Sequence, residues 1–245
     1  MSDIDFHQLG DYIIHQISID CVIFGFHEEQ IKVLLLKVDE KNVWILPGGF
    51  ILQNQDICDA VNHVLKTRTG LEDIYLRQFG VFGKKDRHFN EVEDEHFRKF
   101  GIEMGPDHWL RKRFISIGYF ALLDYSKVET QKDKFSLECT WVDVNDLPNL
   151  VMDHKDIVEE GFEAMKNAFI KEYIGFKLLP PEFTMAEVQS LYETVLQEKF
   201  IRSNFQRKIL GLNILDRLDK RMEGKPHKAP YLYKLKDDWE SVRTF

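Results

Sequence analysis

With 245 residues the chain has room for two domains of moderate size, and 44% hydrophobic residues, 19 Phe among them, suffice for packed cores and exclude a disordered polypeptide. No apolar run reaches the roughly 18 residues of a membrane-spanning helix, and the start Met1-Ser2-Asp3-Ile4-Asp5 lacks the basic-then-apolar order of a secretory signal. The expectation is a cytoplasmic protein without a membrane partner, whose three cysteines, Cys21, Cys58 and Cys139, are reduced thiols too scattered for a zinc cluster. The net charge of −8 is unevenly placed: residues 1–175 carry 20 basic and 31 acidic side chains, residues 176–245 carry 13 and 10. An acidic body with a cationic tail fits a protein that touches nucleic acid with one end.

Along the chain, 17–26 and 31–38 are continuous apolar runs split by the polar turn His27-Glu28-Glu29-Gln30, and predict two buried strands. Pro47-Gly48-Gly49 breaks the pattern, and a helix of about 13 residues starts from Asp56. Its apolar positions Ile57, Ala60, Val61, Val64 and Leu65 recur at helical spacing, and Gly70 closes it. Strands are predicted at 74–82, 114–123 and 139–144, then a long helix over 154–172. The order β-β-α-β-β-β-α implies a mixed sheet with helices packed on it. Residues 88–113 interrupt it: the stretch is highly charged, holds Gly101, Gly105 and Pro106, and reads as an inserted hairpin or short helix that covers a pocket, builds a dimer contact or is simply mobile.

A domain boundary is placed at 175/176, where Pro180-Pro181 ends helical structure and stiffens the join. Thr184-Met185-Ala186-Glu187 has the form of a capping box opening a helix to about 197. A second helix is expected from an N-cap at Ser203 over 204–212, with Phe205, Ile209 and Leu212 inward, and Leu210 also assigned to the core. Strands at 214–220 and 231–235 flank a Gly/Pro-punctuated basic loop, 222–228. Helix, turn, helix and two-stranded ribbon is the order of a winged helix.

The segment 44–71 resembles a Nudix box, in which a loop glutamate and an Arg-Glu and Glu-Glu pair on a helix hold Mg²⁺. Counting from Gly49, those positions are Gln55, His63-Val64 and Thr67-Arg68. Imidazole, hydroxyl and guanidinium do not replace carboxylates: Arg68 about 4 Å from Mg²⁺ would face at most roughly 8 kcal/mol of repulsion at an effective dielectric near 20. The sequence therefore predicts no enzyme, no catalytic residue, no cofactor and no metal. The alternatives are a divergent Nudix hydrolase acting on ADP-ribose or a related nucleoside diphosphate, and a winged helix used for protein contact.

Segments 44–71, 77–83 and Lys85-Asp86-Arg87, with the tail motifs Leu178-Leu179-Pro180, Glu182-Phe183-Thr184, Leu191-Tyr192-Glu193, 204–210 and Tyr231-Leu232-Tyr233, resemble the Nudix-related transcriptional regulators. The likeness spans roughly residues 15–236. It implies an α/β (α+β) Nudix-type mixed sheet sandwiched by helices over 1–175, and a small winged helix-turn-helix domain over 176–245. It further implies a dimer that binds operator DNA and answers to a metabolite: ADP-ribose in one branch, pentose sugars such as arabinose in another. The chain departs from that pattern where Asp86-Arg87-His88-Phe89 runs into the charged insertion, and the decayed box favours a sugar effector over ADP-ribose.

For DNA, Arg207 and Lys208 are the leading contacts, Asn204 and Gln206 the candidate base readers. Arg202, just before the helix, and Lys225, His227 and Lys228 on the wing are assigned to phosphates. For the effector, Trp44, Phe50, Arg68, Gln78, Phe82, Asp86 and Arg87 are nominated, because aromatic faces with convergent polar groups suit a sugar or nucleotide. Trp44 and Phe82 also read as core, and Asp86 with Arg87 as a structural ion pair.

Overall fold

The structure is a computed structural model describing residues 9–72, 74–88, 97–99, 101, 103–132, 135–220 and 229–239. It divides into two compact units, the main crossing lying between Glu163 and Ala164, with the turn residues Glu28–Gln30 grouped with the second unit.

In the N-terminal unit a short helix α1 (Leu9–Tyr12) leads into strand β1 (Ile13–His27), followed by β2 (Gln30–Asp39), β3 (Val43–Ile45) and β4 (Gly48–Leu52). Helix α2 (Ile57–Thr69) comes next, then β5 (Tyr75–Phe82), β6 (Ile115–Asp124), β7 (Glu138–Asp143), β8 (Asn149–Leu150) and helix α3 (His154–Glu172). The strands form one sheet in the order β5-β6-β1-β2-β3-β8, with β4 paired to β1 and β7 to β2. It is mixed: β6 runs parallel to β1, and β4 runs antiparallel to it.

Two alternating sets of side chains give the sheet two apolar faces. Ile19, Cys21, Ile23, Leu34, Tyr119, Ala121 and Leu123 pack with Ala60, Val61, Val64 and Leu65 of α2. On the other set, Phe24 meets Phe162 of α3, and Gly161 lets that helix approach Phe79 and Val22. Helix α2 has the predicted bounds, entered from Asp56 and closed by Gly70 in the left-handed conformation at φ 70°, whose N–H bonds the Lys66 carbonyl. The sequence pattern missed β3, β4 and β8. They are short, and Pro47 separates the first two, yet the Pro47 carbonyl accepts from Cys21 N–H at 2.8 Å and so keeps the loop in the sheet.

The C-terminal unit begins inside α3, ahead of the proline-marked boundary. Phe169, fully buried, stacks edge-on to Tyr192 at 5.1 Å, and its carbonyl accepts from the Tyr192 hydroxyl at 3.3 Å. Gly175 lies so close that a Cβ there would fall 2.3 Å from the Phe169 ring. After β9 (Phe183–Thr184) come α4 (Met185–Leu196), α5 (Arg202–Gly211), β10 (Leu215–Lys220) and β11 (Tyr231–Leu235), the last three strands forming a sheet in the order β10-β11-β9. The capping box is present: Thr184 Oγ1 accepts from Glu187 N–H, and the Glu187 carboxylate accepts from Thr184 N–H at 2.6 Å.

Helix α5 starts earlier than expected. Ile201 is its N-cap, because the Ile201 carbonyl accepts from both Asn204 N–H (3.0 Å) and Phe205 N–H (2.9 Å). Ser203 therefore lies inside the first turn, and Arg202 is helical rather than ahead of the helix. Leu210 is 42% exposed and not core. At about 100° per residue it sits some 140° around from Phe205, whereas Ile209 and the half-buried Leu212 stay on the inward stripe.

Thr184→Ala removes one arm of the capping box and should lower the stability of the C-terminal unit by about 1 kcal/mol, read from the midpoint of a denaturant titration.

Candidate functional site

Two regions hold the sequence-nominated side chains, one in each unit. In the N-terminal unit the seven effector candidates do not converge. Trp44 stands on β3 and Phe82 and Gln78 on β5, four strand positions apart and thus about 19 Å at ~4.8 Å per strand. Trp44 is buried, its Nε1 donating to Asn42 Oδ1 at 2.8 Å with Lys37 over its ring. Phe82 is buried against Phe79 at 5.6 Å. Gln78 is exposed and accepts from the Tyr119 hydroxyl at 3.4 Å.

Arg87 is a correction. It is 3% exposed and pairs with Asp20 and Asp153, not with the exposed Asp86. Its Nε donates to Asp153 Oδ1 at 2.8 Å and its Nη2 to Asp20 Oδ2 at 2.5 Å, an oxygen that Ser116 Oγ also approaches at 2.5 Å. His154 completes the cluster: its Nδ1 accepts from Leu46 N–H at 3.1 Å, which leaves the proton on Nε2, 3.8 Å from Asp20 Oδ1. Burial pushes the His154 pKa down, partly opposed by Asp20, so the ring is neutral. A guanidinium committed to two buried carboxylates is a structural tie between β1, the segment after β5 and the start of α3.

Phe50 does sit in a cluster, though with partners the sequence reading missed. It meets Trp109, from the far end of the charged insertion, edge-on at 4.9 Å, and Phe114, just beyond it, at 5.8 Å. Phe114 N–H in turn bonds the Arg87 carbonyl at 3.0 Å. The described end of the insertion is therefore packed on β4 and tied to Arg87; residues 89–96, 100 and 102 lie outside the described residues.

The α2 face where a hydrolase would hold its metal carries exposed His63 and Thr67 and half-buried Arg68. The Thr67 hydroxyl is bonded back to the His63 carbonyl. Partial burial pushes the His63 pKa down, with the charges of Arg68 and Lys66 adding to it, so the ring is neutral; Lys66 is itself paired with Glu72. Among the described residues no group of three His, Cys, Asp or Glu side chains could hold a metal ion. These residues do not fit Mg²⁺.

In the C-terminal unit, α5 presents Arg202, Asn204, Arg207 and Lys208 as exposed side chains, with Gln206 half-buried beside them. Arg207 Nη2 donates to Asn204 Oδ1 at 3.1 Å, so the two side chains are paired on the exposed face. Lys225, His227 and Lys228 lie outside the described residues. Ile201, 70% exposed at the head of α5, was not nominated, nor were the exposed Arg217, Lys220 and Tyr231. An exposed branched side chain at a helix start, and cations flanking a strand tyrosine, were the signals on offer.

The turn between α4 and α5 is set by one carboxylate. Glu193 accepts from Gln189 Nε2 at 2.8 Å, Phe200 N–H at 3.0 Å and Lys199 Nζ at 2.8 Å, while Gln189 Nε2 also donates to the Phe200 carbonyl at 2.9 Å. The bond from Lys199, then those from Gln189 and Phe200, push the Glu193 pKa down to about 2. Phe200, held this way, stacks on Phe205 at 5.4 Å.

Residues 175–235 match the family described as the NrtR DNA-binding winged helix domain. The chain is 26% identical over 239 residues to the ADPR responsive transcriptional repressor NtrR of Acinetobacter baylyi, covering 94% of this chain and 87% of that protein. It is also 26% identical over 152 residues to an ADP-ribose pyrophosphatase of Methanocaldococcus jannaschii, covering 61% of this chain and 74% of that one. Among solved structures, Shewanella oneidensis NrtR in complex with a 27mer DNA shares the fold at a TM-score of 0.67 and 24% identity, over 92% of this chain and 96% of that one. A MutT/nudix family protein from Enterococcus faecalis does so at 0.64 and 19%, over 95% and 94%. The fold is thus a Nudix-type mixed sheet with helices, followed by a winged helix.

Two outcomes are expected. Unfolding His154 exposes a ring with an ordinary pKa near 6.5. Because its folded value is lower, the unfolded state binds the extra proton first, so stability is complete above pH 6.5 and falls as pH drops towards the folded value. Denaturation midpoints between pH 8 and 5 should show this slope, and His154→Gln should flatten it. Glu193→Gln should loosen the α4–α5 turn and weaken DNA binding about tenfold while α5 stays helical by circular dichroism.

Proposed function

We propose that this chain is a cytoplasmic, homodimeric transcriptional repressor that binds operator DNA through α5 and releases it when the N-terminal unit takes up ADP-ribose. The observation that carries the reading is the exposed polar face of α5, with Arg207 and Asn204 already paired, inside a segment that matches a DNA-binding winged helix. Helices of this type enter the major groove, where a guanidinium fork suits guanine and an amide suits adenine. Lys208 and Arg202 would hold phosphates on either side.

The effector reading departs from the sugar expected from the decayed box. Two relatives over most of their lengths are named for ADP-ribose, one as a responsive repressor and one as a pyrophosphatase. Loss of the metal carboxylates does not remove affinity for a diphosphate, because the cations that repel Mg²⁺ bind phosphate directly. Arg68 is our candidate for that contact; Lys66, in the same helix turn, is already paired with Glu72. Without a metal to activate water, the site binds and does not hydrolyse; the hydrolase reading requires Mg²⁺-dependent turnover. A differential affinity of about 2–3 kcal/mol between the effector-free and effector-bound dimer would change DNA occupancy by roughly thirty to more than a hundredfold.

The test is a mobility shift with duplexes selected by the full chain from a random library. Tight, salt-sensitive binding is expected, weakened tenfold or more by Arg207→Ala, released by ADP-ribose and unaffected by arabinose. Arg68→Ala should raise the ADP-ribose concentration needed about tenfold with DNA affinity unchanged. Release by arabinose alone, or steady cleavage of ADP-ribose with Mg²⁺, would contradict the reading.

A further inference from the structure

Beyond α5, the strand pair β10–β11 gathers two cations on one aromatic ring. In a regular strand, residues three apart point to opposite faces. Arg217 and Lys220 escape that rule because the β10–β11 register shifts between them. Arg217 Cζ lies over the Tyr231 ring at 4.4 Å from its centroid and Lys220 Nζ at 5.2 Å, both inside cation–π reach. All three side chains are exposed, and among the described residues neither cation pairs with a carboxylate. Of the two acidic neighbours on β10, Asp216 stands opposite Lys234 in the register, and Asp219, exposed just before Lys220, makes no ion pair with either cation among the described residues.

The face matters. Tyr233, two residues along β11 from Tyr231 and so on the same side, is 5% exposed and part of the core. Strand β11 packs on α4 from that side. Tyr231 therefore prolongs the helix-facing side of the sheet beyond the core, where it stands in solvent, while Lys234 points to the other side. Two like charges held within about 5 Å of one ring repel each other, and a phosphate placed against them relieves that repulsion. The ring also limits the rotamers of two long side chains before any ligand arrives, which lowers the entropy lost on binding.

We propose that Arg217, Lys220 and Tyr231 form a phosphate-gripping site on the strands of the wing, taking the backbone of duplex DNA without reading its sequence. The assignment rests on the DNA-binding reading above and adds contacts that lie on the ribbon itself, outside both α5 and the basic loop.

The experiment uses the full chain and one duplex selected by it from a random library, with the dissociation constant measured across a series of NaCl concentrations. Each phosphate contact contributes about 0.9 to the slope of log affinity against log salt. Arg217→Gln with Lys220→Gln should reduce that slope by about 2, with the ranking of single-base-pair variants of the duplex unchanged. Tyr231→Leu should weaken binding several-fold, Tyr231→Phe should match the wild type, and Lys234→Gln should leave the slope as it is. Methylphosphonate scanning of the duplex gives a second readout: neutral linkages that weaken the wild type should cost the double variant nothing at the positions this site holds. A double variant that melts like the wild type and keeps its slope and its methylphosphonate pattern overturns the assignment. If the wild-type chain binds no duplex at all, the DNA-binding reading itself falls, and this site with it.

Discussion

The Glu193 carboxylate fixes the turn on which presentation of α5 depends. It ties together a helix side chain, a turn lysine and the Phe200 backbone, and through Phe200 it seats Phe205 at the base of α5. Three donors on one carboxylate hold it ionised, so the tie keeps its charge across all ordinary pH. Helix α5 has no side-chain cap at its own start, and its inward stripe is only Phe205, Ile209 and part of Leu212. Its placement comes from neighbours more than from its own propensity, and Glu193 is the neighbour that acts through directional bonds.

In the N-terminal unit the shape of the box is set by packing and backbone geometry. The loop and helix of the box keep their shape for reasons unrelated to catalysis. A Cβ at Gly48 would strike the Ile19 carbonyl at 2.4 Å; Gly70 supplies the left-handed turn; and Ala60, Val61, Val64 and Leu65 fill the core. The outward side chains answer to none of these demands, and there His63, Thr67 and Arg68 stand where the resembling box would carry carboxylates.

Much of this was legible in the sequence where the cause is local. Helix α2 is bounded by Asp56 and Gly70, α3 spans its periodic run, and the capping box at Thr184 is where the motif placed it. The short strands β3, β4 and β8 were not legible, since their identity comes from backbone pairing with distant strands. The effector candidates suffered most. Residue type alone nominates aromatic and polar side chains for one pocket, but strand order separates Trp44 from Gln78 and Phe82. Arg87 could not be told apart from a ligand-binding arginine, because both of its carboxylate partners are more than sixty residues away. Likewise, no periodic pattern foretells a register shift that turns Arg217 and Lys220 onto one ring.

Helix α3 carries the seam between the two units within its own length. The recognised DNA-binding module begins at residue 175, but Phe169, the ring that Tyr192 leans on and that Gly175 accommodates, lies upstream of it. Excising the tail at the double-proline landmark would remove that ring, and Phe176 with it, and leave Tyr192 packed on Phe205 alone of these three rings. A self-sufficient DNA-binding fragment must instead borrow the last turns of the preceding helix.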